Sequence, residues 1–218
     1  MKKINSLINI CFAAILLIQG CKCNRKAEKK DINTNDSTTI NTEDSVQMIH
    51  DFSLEDSANI FKINSQQWLG SILKNNTANW TNFHFKSQRE IDAQTKPAPF
   101  TPPKDFYKNY QSVLRWSSDS SFIIDFGSYG SMTVKDANGN NHLEGSDPDT
   151  KVALINVAKQ QQSQILFAGP STKILDVKWL SNSEALMLFS EEGENNSSDT
   201  LLWLIDIPRN LIRQYQYH

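Results

Sequence analysis

Asp136, Asn138, Asn140, His142, Glu144 and Asp147 occupy the first, third, fifth, seventh, ninth and twelfth places of one stretch. Oxygen-rich side chains at alternate places are what a hard cation such as Ca²⁺ requires. The spacing therefore reads as a candidate calcium site. In detail it departs from such a loop: Asn141 stands where glycine is needed for the sharp turn, Gly139 comes two places early, and Asp147 replaces the bidentate glutamate. These departures favour a long polar hairpin with an Asn138-Gly139 turn at its tip. No cofactor is expected beyond that one candidate ion.

Other chemistry finds little in the chain. Of the four histidines, His50 falls in a polar N-terminal stretch and His218 at the far end, leaving His84 in a strand and His142 in the hairpin. They are not expected to converge, and no His-x-His or His-Glu-x-x-His pattern offers zinc ligands. There is no Gly-x-Ser-x-Gly elbow and no phosphate loop, and no cysteine follows Cys23. A Ser-His-Asp set built from distant segments stays open, because triads need not be local. Glu191, Glu192 and Glu194 run into Asn195, Asn196 and Ser197 and read as a solvated hairpin end. Trp116, Trp179, Tyr215 and Tyr217 could stack on a ligand, but the two tryptophans hold equivalent places in a repeat, which favours core anchors.

The N-terminus carries an address. Lys2 and Lys3 precede an apolar run from Ile10 to Ile18, the pattern of an export signal. That run falls short of the roughly 20 apolar residues a membrane-spanning helix needs. Its end, Ile18-Gln19-Gly20-Cys21, resembles the lipobox of bacterial lipoproteins: an aliphatic, a variable and a small residue before an acylated cysteine. The resemblance implies cleavage after residue 20 and a mature chain held in the bilayer through Cys21. Cys23 is a poorer candidate, since Lys22 would stand at its cleavage position. Each buried CH₂ contributes ~0.8 kcal/mol, so two or three acyl chains hold firmly where one binds marginally. Lys22 stands where an aspartate would signal inner-membrane retention, so the resemblance implies the outer membrane. No acidic surface-export pattern appears before Glu28, which favours the periplasmic face.

Charge is unevenly spread along a chain of net charge −2. Residues 22–31 carry +3, residues 32–59 carry −6 with no Lys or Arg, and the rest balances 15 basic against 16 acidic residues. No field of this kind favours nucleic acid. Residues 21–52 read as a lipidated, disordered tether with a reach of roughly 30 Å. Asp36-Ser37-Thr38, Asp44-Ser45-Val46 and Asp56-Ser57-Ala58 resemble the acceptors of an O-glycosylation system of some outer-membrane bacteria, making Ser37, Ser45 and Ser57 candidate sites.

Residues 53–218 then form one domain. Trp68, Leu69, Ile72 and Leu73 follow Ser65 at the spacing of one apolar helix face. Trp80 to Phe85 alternates as a strand, and Pro97, Pro99, Pro102 and Pro103 mark an extended connection. Beyond it lies a repeat, in copies at about 108–169 and 170–218. Leu114 to Phe126 aligns with Val177 to Phe189, and Val152 to Val157 with Leu202 to Ile207, the first copy holding about 13 more residues between its second and third strands. The Trp-Ser-x-Asp turn at Trp116 and its aliphatic strand resemble a blade of the bacterial and WD-repeat β-propellers, with Ser120 and Ser183 where the turn glycine is usual. The resemblance implies an all-β fold of two four-stranded, antiparallel, blade-like sheets, to which the Trp68–Leu73 spacing adds a short N-terminal helix.

Two blades cannot close a ring, so either the two sheets pack on one another and on residues 60–100 as a compact monomer, the favoured arrangement, or copies associate to complete a larger ring. The expected function is a binding or interaction module facing an envelope protein or glycan. A hydrolase or carbohydrate-binding protein with a loop-built cleft is the alternative. Intact-mass measurement of the native protein should give the chain from Cys21 plus its acyl groups, and Cys21→Ser should remove that lipid mass. Extra hexose-sized mass would mark the serine acceptors.

Overall fold

The computed structural model describes residues 49–63, 65–75, 77–93, 95–139, 141–193 and 197–218. Cys21, Ser37, Ser45 and nearly all of the expected tether lie outside them, as does Asn140. Ile49 and Phe52 are buried in the core, so the folded body already includes residues placed in the tether.

Helix α1, Leu54–Lys62, starts where the Ser53 hydroxyl accepts from the Asp56 amide at 3.0 Å. Glu55 and Asp56 in its first turn and Lys62 in its last suit the helix dipole. Helix α2, Ser65–Leu73, is the one expected from the Trp68–Leu73 spacing. Ser65 is its first residue, and its hydroxyl donates to the Ile60 carbonyl, closing α1 rather than capping α2. A 3₁₀ turn at Trp80–Asn82 leads into the first strand, which begins at Phe83 rather than Trp80.

Two antiparallel five-stranded sheets follow. The first sheet runs, in spatial order, β1 (Phe83–Glu90), β12 (Leu211–Tyr217), β11 (Ser198–Asp206), β10 (Glu184–Glu192) and β9 (Thr172–Trp179). The second runs β2 (Ala98–Pro99), β8 (Gln161–Ala168), β7 (Thr150–Asn156), β4 (Phe122–Asp125) and β3 (Leu114–Trp116). The extra residues of the first copy form a separate hairpin, β5 (Ser131–Lys135) and β6 (Asn141–Gly145). A one-turn helix α3, Phe106–Asn109, precedes β3. The fold is mostly β, but the expected four-stranded sheets have five strands and no ring closes. Each copy supplies a four-stranded meander, and an upstream segment adds the fifth strand at its outer edge. Pro99 has no N–H to give, which suits the edge position of β2.

The repeat register also needs correction. Trp116 pairs with Ile123 and Trp179 with Ala185, so the tryptophans are equivalent but the strands after the turn slip by one residue. Ile124 faces Leu154, as Leu186 faces Leu204. The first turn is one residue longer, and it holds Ser120 in the left-handed region at φ 62°; Ser183 is not so placed.

With that register, equivalent residues point the same way around the repeat. Ile124, Val152 and Leu154 face the first sheet, in the core between the two sheets, with Ala185, Met187, Phe189, Trp203 and Ile205. Their counterparts Leu186, Leu202 and Leu204 face outward, under Ile49, Phe52, Ile60, Leu69 and Trp80. On the second sheet, Ile123 and Ile155 face outward beneath Phe106, Phe100 and Tyr110. The four layers are thus the N-terminal segment, the first sheet, the second sheet and the 100–113 segment.

Phe52 lies flat on Tyr215 with ring centroids 4.0 Å apart. Phe52→Ala should destabilise the protein by about 3 kcal/mol in chemical denaturation, whereas Phe61→Ala, on the exposed side of α1, should change little.

Candidate functional site

The histidines converge after all. Ile49 accepts from the Phe52 amide at 3.2 Å, and this tight turn holds Asp51 at φ 68°. With Ile49 and Phe52 anchored inward, His50 and Asp51 project over β1. Asp51 Oδ1 lies 2.7 Å from His50 Nδ1, and Asp51 Oδ2 lies 3.1 Å from His84 Nδ1. The same oxygen accepts from the Phe85 amide at 3.3 Å, occupying an outward-facing donor of the edge strand. Pairing of β1 with β12 brings in His218, whose ring stands 5.3 Å from that of His84. Three of the four histidines therefore gather on one sheet edge. Residues 50, 84 and 218 are remote in sequence: the Ile49–Phe52 turn lays His50 beside His84, and the β1–β12 register, with Phe83 opposite Tyr217, brings His218 to the same edge.

The calcium-like stretch is strung along a hairpin instead of curled around a point. Asp136 and Asn138 sit at the tip, where Asp136 Oδ1 accepts from the Asn138 amide at 2.9 Å and Gly139 takes φ 82°. Strands rise about 3.3 Å per residue, and β6 carries His142 and Glu144 away from the tip as a surface pair at 2.9 Å. Asp147 lies beyond the far end, its Oδ1 accepting from the Asp149 amide. The Asn138-Gly139 hairpin reading fits this arrangement. Ser57 is buried, its hydroxyl donating to the Ser53 carbonyl at 2.8 Å and accepting from the Ile49 amide at 3.1 Å. A glycosyltransferase cannot reach it in this fold.

A charged cluster that the sequence did not single out joins α1 to the second repeat copy. Glu184 and Asp206 stand directly opposite each other in β10 and β11, where the first copy has Phe122 and Asn156. Arg213 bridges Asp56 at 2.9 Å and Asp206 at 3.3 Å, and Arg209 bridges Asp206 at 2.8 Å and Glu55 at 2.6 Å. Burial, then the nearby Asp206 and Asp56, push the Glu184 carboxyl above its ordinary value. Asp206 and Glu55 hold Arg209 charged above its ordinary value. Tyr215 is buried against Phe52, so it is a core ring and not a ligand-stacking platform, and that burial pushes its phenol up to about 12. Asp176 on β9 forms another junction, accepting from Trp68 of α2 at 2.9 Å and pairing with Arg115 of β3 at 2.8 Å.

The two tryptophans diverge. Trp179 packs into the intersheet core and donates to the Arg115 carbonyl at 2.9 Å. Trp116 has no preceding copy to lie against and stays exposed, leaning on Tyr107 at 5.1 Å.

One concavity with both aromatic and polar lining lies on the second sheet. It is a cleft of about 240 Å³ lined by Phe100, Phe106, Asp125, Tyr129, Lys151 and Gln162, among others. Tyr129 and Phe167 are exposed and meet edge to face at 5.9 Å, with Lys151 Nζ 5.7 Å from the Tyr129 centroid. Asp147 beside Tyr129 raises its phenol, which therefore remains a donor at neutral pH. Another cleft, of about 190 Å³ at the sheet ends, is lined by Asp92, Asn156, Lys159 and Asn210.

No protein-family model, curated protein or solved structure matches the chain.

Among the described residues, neither His84 nor His142 hydrogen-bonds a serine, threonine or cysteine; each meets a carboxylate alone. Such pairs can hold a proton or a cation, but they supply no nucleophile.

A raised carboxyl opposes folding once it ionises. Below its unfolded value Glu184 is protonated in both states and costs nothing; as pH rises through the folded value, stability is lost. Glu184→Gln should therefore raise the melting temperature at pH 7, with the gain vanishing below about pH 4.

Proposed function

We propose that this chain is an outer-membrane lipoprotein, held at the periplasmic face through acylated Cys21, whose two propeller-blade-like sheets form a glycan-binding module. The lipobox-like Ile18-Gln19-Gly20-Cys21 run supports the anchor. The observation that carries the binding reading is the cleft beside Tyr129: an aromatic wall next to hydrogen-bonding groups. A sugar presents a C–H face that packs on an aromatic ring and hydroxyls that need donors and acceptors. Tyr129 offers the ring, with Phe167 set against its edge, while Asp125, Gln162 and Lys151 offer the polar partners. Ligand sites combine apolar walls with a few placed polar groups in this way.

Asp125 is fixed in advance. Its Oδ1 accepts from the Gly127 and Ser128 amides at 3.2 and 2.9 Å, and its Oδ2 from the Ser128 hydroxyl. A prearranged acceptor loses little freedom on binding. The hydrolase reading has weaker support: both histidine–carboxylate pairs lie outside this cleft, and although His142 lines a wide concavity of about 460 Å³, among the described residues it hydrogen-bonds Glu144 and no hydroxyl.

The native lipoprotein in detergent, probed with an array of peptidoglycan fragments and lipopolysaccharide cores, should bind one class, and Tyr129→Ala should weaken that binding about tenfold, or ~1.4 kcal/mol. No binding to either class, together with no envelope protein recovered in a pull-down, would remove the binding-module reading.

A further inference from the structure

We infer that His50, Asp51 and His84 form a site for a divalent first-row transition ion, with Zn²⁺ the reference case. Their ligand atoms already lie within 4.8 Å of one another. Around a tetrahedral zinc, with bonds of 2.0–2.1 Å, they would stand about 3.3 Å apart. The difference is within reach of side-chain rotation, since the His50 and His84 side chains are 78% and 47% exposed.

The donor set selects the ion. Two imidazoles and one carboxylate suit a borderline metal, whereas Ca²⁺ prefers six to eight oxygens. The backbone presents the ligands before any ion arrives. Phe52, stacked on Tyr215, and Ile49, buried beside it, fix the turn that carries His50 and Asp51. His84 belongs to a strand paired with β12 on both sides of a bulge at Lys86. Asp51 stands between the two imidazoles, with one oxygen toward each. An ion would replace these two contacts with bonds to the same three side chains.

The placement gives the ion a mechanical role. His50 and Asp51 belong to the first described residues of the segment that covers the first sheet, and His84 to the outer strand of that sheet. A bound ion therefore pins the covering segment at its N-terminal end; if the lipid anchor proposed above is present, it would also resist peeling of that segment by a pull from the anchor. This inference does not depend on the glycan-binding reading, since the site and the Tyr129 cleft share no residue.

The test uses the untagged, full lipidated chain in detergent, stripped with chelator and titrated with Zn²⁺ and separately with Ca²⁺. Calorimetry should show one Zn²⁺ per chain, and saturating Zn²⁺ should raise the melting temperature by about 3–6 °C. His50→Gln and His84→Ala should each weaken Zn²⁺ binding at least tenfold, and His142→Ala should leave it unchanged. Co²⁺ should give the visible absorption of a four-coordinate ion in the wild type only. His50→Gln lies on an exposed turn and keeps the test sound should His84→Ala fold poorly. Zn²⁺ binding that survives both substitutions, that is lost in His142→Ala, or that is no tighter than Ca²⁺ binding would overturn the inference.

Discussion

A sheet whose central strands are apolar on both faces must be covered on both faces, and this constraint organises the molecule. Ala185 to Phe189 and Leu201 to Ile205 are unbroken apolar runs buried throughout, the pattern of strands sandwiched between two layers. Packing the sheets together satisfies one face of each. The remaining faces are the ones a third and a fourth copy would otherwise cover. Here the chain covers them itself, with α1, α2 and Trp80 on the first sheet and the 100–113 segment on the second. The fifth strands adjoin these covers in sequence, β1 following Trp80 and β2 preceding Phe100, so each cover is tied to the edge of a sheet as well as to a face. The N-terminal segment is therefore part of the fold, and Phe52, Trp80 and Phe83 are as much core as Leu204.

The same arrangement explains where charge is buried. The first copy puts Phe122 opposite Asn156, while the second puts Glu184 opposite Asp206, beneath the start of α1. Facing carboxylates repel, and Asp56 adds a third. Arg213, only 16% exposed, and Arg209 offset that charge through Asp56, Asp206 and Glu55. Buried ion pairs of this kind contribute little net stability, because desolvation offsets much of the attraction. Their effect is positional: Arg213 on β12 has one register in which it reaches both Asp56 and Asp206. The cluster thus sets where α1 lies on the sheet, and with it where His50 and Asp51 emerge.

Much of the fold was legible from local pattern. The Trp68–Leu73 spacing marked α2, the two tryptophans marked equivalent strand ends, and the extra residues of the first copy marked the β5–β6 hairpin. Three features were not legible, for physical reasons. The fifth strands pair through contacts remote in sequence, and Ala98–Pro99 is too short to announce itself. The one-residue slip after Trp116 follows from Ser120 adopting a left-handed conformation, which no serine signals in advance. His50 was assigned to the tether because the acidic, polar run around it masks two isolated core residues, Ile49 and Phe52. Once those two are placed inside, the turn between them sets His50 and Asp51 over His84 of β1. The Tyr129 cleft likewise joins the 100–106 segment, the loop after β4 and residues of β4, β7 and β8, and no single stretch carries it.

The covering segment is the hinge of the account, since the burial of the first sheet, the charged cluster and the histidine site all require it in place. Its most direct test is native-state hydrogen exchange of the full chain, followed by mass spectrometry at peptide resolution. If the segment is an integral layer, the amides of residues 54–73 open with the same free energy as those of β10 and β11, in one cooperative unit. Free exchange across residues 54–73, while β10 and β11 stay protected, would contradict it.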